Sequence, residues 1–206
     1  MKKKRCLVPL LAIIGIGTIA PSYVRVYRVN GSSDAPSFLV GDRILLFKSA
    51  YDIRLPYSNA VIRSYAQPKR GDVVMFRSPE EDYLVFKRVV GCPGDTILMR
   101  ENRLEINGMT LTYERVDISG YEFAAGSNNL GTVIEEESGN GPTHLITHTP
   151  GKHSGTTLGP VYVGEEQYYV IGDNRDNSRD SRAYGAIPRD SILGKVVRIQ
   201  RTSDSD

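Results

Sequence analysis

Residues Gly31 to Asp42 read GSSDAPSFLVGD, with Ser33 three residues and Ser32 four residues ahead of Pro36. A serine attacks a carbonyl only when a nearby base takes its proton. Serines beside glycine and proline are also ordinary turn residues, so the stretch alone supports both readings. The usual base is histidine. The three histidines, His144, His148 and His153, all lie in HLITHTPGKH. Thr147, Thr149, Pro150 and Gly151 oppose the helix on which a His-x3-His pair would grip a metal. The stretch also has no carboxylate or thiolate to complete a site. These histidines are expected to be solvated loop residues, with no metal and no cofactor.

A lysine can replace histidine if it is neutral, and burial in apolar surroundings disfavours an ammonium. Lys87 lies in YLVFKRVVG, where strand alternation puts Tyr83, Val85 and Val89 on its face. Such a lysine is either an edge gatekeeper or a group whose charge is suppressed, and the spacing leaves both open. A third feature is GDNRDNSRDSRAYGAIP, Gly172 to Pro188. Three Asp, three Arg and two Asn between Gly172 and Arg182 make either a solvated loop or a charge-matched knot that fixes loop geometry.

The segments that must position these residues are short. VVMF follows the turn at Pro68 to Asp72, and YLVFKRVVG is closed by Cys92-Pro93-Gly94-Asp95. Phe38 to Val40 and Arg43 to Phe47 flank Gly41-Asp42 and read as strand, turn, strand. In LEINGMTLTYERV, Asn107-Gly108 between alternating runs predicts a hairpin. No sustained helical stripe appears after the N-terminus, and twenty Gly, eleven Pro and no Trp fit a mostly β body. Residues 119–159 are rich in Gly, Ser, Thr and Asn and read as a polar insertion, a small hairpin-like excursion that adds little to the core. The catalytic β domain is then 25–118 and 160–206.

Lys2, Lys3, Lys4 and Arg5 precede a charge-free run from Cys6 to Val24. At helical rise this run spans about 28 Å, close to the thickness of a bilayer core. Residues 6–24 are therefore expected to be a transmembrane anchor, with residues 1–5 a basic cytoplasmic end. A cleaved leader is disfavoured because Thr18-Ile19-Ala20 puts a β-branched residue, Thr18, at the outer small position, and Pro21 would follow the cut. The chain carries 26 basic and 24 acidic residues without a basic stripe in the body, which excludes a nucleic-acid binder of ordinary type. Its two cysteines, Cys6 in the anchor and Cys92 in the body, are not expected to meet.

Four stretches, GSSDAPSFLVGD, KRGDVVMF, VFKRVVGCPGD and GDNRDNSRDSRAYGAIP, resemble those of the bacterial type I signal peptidases, in the family's order and after an anchor. The resemblance covers most of the body outside the insertion. It implies a β-rich, membrane-bound serine endopeptidase with a Ser–Lys dyad and no metal or cofactor. Such an enzyme removes N-terminal signal peptides from exported precursor proteins after small-x-small sites. Its implied partners are precursors and membrane lipid, with no nucleic acid. Its implied place is the bacterial cytoplasmic (inner) membrane, single-pass, with the catalytic domain on the outer, periplasmic side.

Carried over by position, Ser33 is the nucleophile, Lys87 the general base, and Ser178 the residue that orients the lysine. Asp180 and Arg182 form a structural pair near the site. The Ser33 N–H supplies one oxyanion donor, and Gly31 stands where some relatives place a second-donor serine. One position departs from the pattern: Asp34 stands where the family normally has Met. A carboxylate there replaces an apolar pocket wall, opposes the oxyanion and holds any nearby lysine in its charged form. The departure keeps open a weak or inactive homologue that binds signal peptides. A Ser–Lys protease dedicated to a pilin or conjugation substrate is the other alternative.

The charge pattern around the apolar run predicts the N-terminus inside and the body outside. A reporter active only outside the cytoplasm, fused after Asp206, is expected to work. Full protection of the body from protease added to spheroplasts would contradict this topology.

Overall fold

The computed structural model describes residues 23–58, 60–80, 83–117, 132–139, 141–149 and 157–200. Its strands run in chain order β1 (Val24–Arg28), β2 (Arg43–Phe47), β3 (Asp52–Arg54), β4 (Val61–Ser64), β5 (Val73–Arg77) and β6 (Leu84–Gly91). There follow β7 (Thr96–Arg100), β8 (Arg103–Ile106), β9 (Met109–Thr110), β10 (Thr112–Arg115), β11 (Val133–Gly139) and β12 (Gly141–His148). The last are β13 (Thr157–Tyr162), β14 (Gln167–Ile171), β15 (Ile187–Pro188) and β16 (Ile192–Gln200). Among the described residues, the named helical elements are a four-residue helix, α1 (Ser181–Tyr184), and a 3-10 turn, Arg189–Ser191. The body is mostly β, as its turn-punctuated sequence predicts.

The large sheet has the order β1-β2-β16-β5-β6-β14-β15. Both of its faces are apolar. Val74 and Phe76 of β5 pack with Val89, Val170 and Ile187 on one face. Val73 and Met75 pack with Ile44, Leu46 and Phe38 on the other. β6 shares this division. Lys87 pairs with Val74 and so faces the first cluster, whereas Arg88 pairs with Val73 and faces the second. β14 pairs with β6 only from Arg88 to Gly91, so Leu84 to Lys87 have no ladder partner on that side. The sheet thus opens beside Lys87.

A second sheet, β13-β7-β8-β9, packs through Ile97, Met99, Leu104 and Ile106 onto Val90, Tyr169 and Ile171. The hairpin expected at Asn107-Gly108 joins β8 and β9, and both turn residues adopt positive φ, 53° and 79°. Cys92 is half-buried against the first cluster, and Cys6 lies outside the described residues.

Several expectations change. Phe38 to Val40 form no strand: Phe38 N–H bonds to Asp34 O at 2.9 Å, which closes a turn instead of a ladder. The apolar run expected to be an anchor lies outside the described residues up to residue 22, and Val24 already opens β1 opposite Phe47. No described helix is long and apolar enough to cross a membrane. Within 119–159, the described residues form β11 and β12, which pair with each other, β11 also pairing with β10, and the start of β13. Ile134 and Ile146 are fully buried, so this segment contributes core that its polar composition hides.

Truncating such a side chain costs a buried cavity. Ile134→Ala is expected to lower unfolding stability by about 2–5 kcal/mol in denaturant titration. An unchanged midpoint would mean that the hairpin is peripheral, as its composition suggests.

Candidate active site

The stretch containing Ser33 is held at both ends between β1 and β2. Val29 N–H bonds to Asp42 O at 2.9 Å, and Gly41 N–H bonds to Val29 O at 2.8 Å. The buried Asp42 carboxylate accepts from Leu39 N–H at 2.9 Å. Within this clamp, Ala35 N–H bonds to Ser32 O and Phe38 N–H to Asp34 O. Phe38 packs edge-on against Phe86, with ring centroids 5.3 Å apart. Because Phe86 precedes Lys87 on β6, this ring contact brings the serine turn beside the lysine.

Lys87 is 2% exposed, and its Nζ donates to three acceptors: Ser33 Oγ at 2.6 Å, Asp34 Oδ2 at 2.7 Å and Phe86 O at 2.9 Å. Ser33 Oγ in turn donates to Asp34 Oδ2 at 2.6 Å. Ser33 is half-buried, whereas Asp34 is only 2% exposed. Burial pushes the Asp34 carboxyl above its ordinary pKa, against the pull of the adjacent Lys87. The sequence reading put Asp34 on a pocket wall. The turn instead aims it inward, where its carboxylate touches both partners.

The loop after β14 closes the site from the other side. Asn174 N–H bonds to Ser33 O at 3.1 Å, and Asn174 Nδ2 donates to Ser32 O at 3.0 Å. Asn177 Nδ2 donates to Ser32 Oγ at 2.8 Å. Gly172 permits the approach: a Cβ there would lie 2.2 Å from Ser178 Oγ and 2.5 Å from Ser33 O. Ser178 is thus next to the turn, but its buried hydroxyl makes no hydrogen bond to Lys87. Asp180 is fully buried and accepts from Gly172 N–H at 3.0 Å and from Arg182 Nε and Nη2, each at 2.8 Å. Its pKa is lowered: burial raises it, and Arg182 more than offsets this.

A second layer braces that loop, and here sequence reasoning missed most of the residues. Arg88 makes a two-pronged pair with Asp173, Nε to Oδ1 at 2.8 Å and Nη2 to Oδ2 at 2.6 Å. Arg175 Nη2 donates to Glu137 Oε2 at 2.7 Å, and both side chains are buried. Thr147 N–H bonds to Asp173 O, and Arg175 N–H bonds to Thr147 O, so β12 runs along the loop as a short parallel bridge. The histidine reading also needs correction. His144 and His148 lie on strand β12, not in a solvated loop. His144 Nε2 is 3.3 Å from Glu137 Oε1, and His148 Nε2 is 3.0 Å from Glu135 Oε2. The carboxylates come from the partner strand, so HLITHTPGKH by itself could not reveal them. No group able to hold a metal ion occurs among the described residues, and His153 lies outside them.

The chain is similar to known signal peptidases. The family model described as "Signal peptidase, peptidase S26" matches residues 3–200. A signal peptidase I of Pseudomonas aeruginosa is 37% identical over 188 residues, covering 85% of this chain and 64% of the relative. A signal peptidase I of Aquifex aeolicus is 30% identical over 225 residues, covering 96% of this chain and 83% of the relative. The chain therefore spans a little under two thirds of the Pseudomonas protein's length. A crystal structure of a signal peptidase I from Enterococcus faecalis V583 is 29% identical with a TM-score of 0.39, covering 64% of this chain and 98% of that chain.

The brace has a pH signature. Burial raises the Glu137 carboxyl, but Arg175 and His144 outweigh burial and hold it at about 2. A depressed carboxylate stabilises the fold above its unfolded pKa of about 4.3, and this contribution is lost as pH falls toward the folded value. Glu137→Gln leaves Arg175 buried without its anion and is expected to cost about 3–5 kcal/mol near neutrality. The deficit should shrink in melts recorded between pH 4 and 2. A deficit constant across that range would show that the carboxylate charge is not what stabilises the brace.

Proposed function

The chain belongs to the signal peptidase, peptidase S26, family, and on that premise we propose that it is a serine endopeptidase that removes N-terminal signal peptides from precursor proteins. One observation carries this reading: the Lys87 amine lies 2.6 Å from the Ser33 hydroxyl, buried in a strand face of Val85, Val89 and Val74. That contact supplies a nucleophile and a base within proton-transfer reach. Neutral Lys87 takes the Ser33 proton as Oγ attacks the scissile carbonyl, then passes it to the leaving amine. Water, deprotonated by the same amine, releases the acyl-enzyme. The Ser33 N–H faces the developing oxyanion. Asn174 and Asn177 hold the turn in register, and Asp180 with Arg182 holds the loop that carries them.

The open side of β6 supports binding of an extended substrate. Leu84 to Lys87 lack a strand partner on the β14 side, where a peptide could add as a strand next to Ser33. Shallow pockets there would take small side chains one and three residues before the cut. The proposed site at the membrane surface rests on the N-terminal apolar run and on one hairpin. Tyr23 directly follows residues 6–22 of that run and donates its hydroxyl to Arg54 O of β3. The β3–β4 hairpin exposes Ile53, Leu55, Val61 and Ile62, apolar groups suited to the lipid interface beside an anchor.

Cleavage of a model precursor with a small-x-small site tests the reaction. Ser33→Ala and Lys87→Ala are each expected to lower kcat by roughly 10⁴-fold or more, with melting curves close to wild type. Near-normal turnover by Lys87→Ala would sink the dyad.

A further inference from the structure

We propose that Asp34 is a third catalytic residue: its carboxylate takes a proton from the Lys87 ammonium, so that the amine can accept the Ser33 proton without any proton leaving the site. This rests on the Ser–Lys reading of the same site. The geometry is specific. One oxygen, Asp34 Oδ2, lies 2.6 Å from Ser33 Oγ and 2.7 Å from Lys87 Nζ, and Asp34 and Lys87 are each 2% exposed. Lys87 donates to three acceptors in this arrangement, which is the full donor capacity of an ammonium. An amine so engaged has no lone pair for the serine proton. Of its three acceptors, only Asp34 is a base that can take a proton and relieve this.

The exchange balances within three side chains. The proton moves from Nζ to Oδ2, which turns an ion pair into a neutral amine and a neutral carboxylic acid. The Ser33 hydroxyl then rotates from Asp34 to Nζ, and attack on the carbonyl transfers the serine proton to the amine. After the leaving amine and then water have completed the two acyl-transfer steps, the Oδ2 proton returns to Nζ. Net charge on the Lys87–Asp34 pair is zero before and after the first transfer, so no isolated charge is buried. Burial raises the Asp34 carboxyl, which favours the neutral acid. The other groups that act on Asp34 are Asp173 from the loop after β14, Arg88 from β6 and Tyr184 from α1. Arg88 is paired with Asp173, and Asp173 raises the Asp34 carboxyl further, which also favours the neutral acid.

The test is the pH dependence of kcat/KM for peptide cleavage by the full chain, in wild type and in Asp34→Asn. In wild type the active tautomer carries the same proton count as the resting ion pair, so the profile is expected to be flat on its acid side over several pH units. In Asp34→Asn, Lys87 must release its proton to solvent, and the profile should rise about tenfold per pH unit until the lysine is neutral. Asp34→Met removes the carboxylate with a side chain of apolar character and should give the same slope, which keeps the test if the Asn variant does not fold. Parallel profiles in wild type and variants would overturn the role of Asp34. So would a folded Asp34→Asn that is dead at every pH, because the carboxylate itself would then be taking the serine proton. Near-normal turnover by Lys87→Ala would overturn the dyad beneath the proposal. Parallel profiles alongside an inactive Lys87→Ala would remove Asp34 alone.

Discussion

A lysine amine inside a β-sheet face must find an acceptor for every N–H it carries, because an unpaired charge in apolar surroundings is costly. Lys87 meets this demand with Ser33 Oγ, Asp34 Oδ2 and its neighbour's carbonyl, Phe86 O. Two of the three come from a turn that lies 53 residues or more away in sequence. Everything that holds that turn beside β6 therefore also holds the lysine in a tolerable environment. The Phe38–Phe86 contact, the Asp42 clamp and the Asn174 bonds serve this one constraint.

The same constraint accounts for the layered charges around the loop after β14. An apolar body could not hold Asp173, Arg175 and Asp180 in the interior without partners, and each has one. Arg88, Glu137 and Arg182 supply the countercharges at 2.6–2.8 Å. Buried ion pairs add little net stability over well-packed apolar groups, but breaking one is expensive. They therefore fix a single loop geometry more than they strengthen the fold. Alternation along β6 links the layers: Lys87 faces the serine turn, and its neighbour Arg88 faces the brace.

Hairpin β11–β12 shows where polar composition misleads. Residues 119–159, which include it, read as a polar excursion because they are rich in Gly, Ser, Thr and Asn. On the strands, Ile134 and Ile146 fall on opposite faces and both are fully buried, while Glu137 and His144, on the Ile146 face, pair inward and Glu137 reaches Arg175 of the loop. An amphipathic strand whose polar side is also covered cannot be recognised from composition, since no solvent-facing contrast is left to read. The hairpin is joined to the serine turn as well, through Ser37 Oγ donating to Leu145 O.

Local chemistry was legible in the chain alone. Alternation in YLVFKRVVG placed Lys87 on a valine face, and Asn107-Gly108 marked its hairpin, because side-chain period and positive φ are properties of a few neighbouring residues. The four motifs with their order carried the family. What remained open were the choices between two physical readings: turn serine or nucleophile, gatekeeper or buried amine, solvated loop or polar knot. Each depends on which distant group ends up within 3 Å, and that depends on where β14 stops pairing with β6 and which side of the turn Asp34 faces. Asp34 is the clearest case. Its identity was visible beside Ser33, but its direction follows from Phe38 docking on Phe86 and the serine turn closing over the sheet's open edge, a contact between segments that only folding brings together.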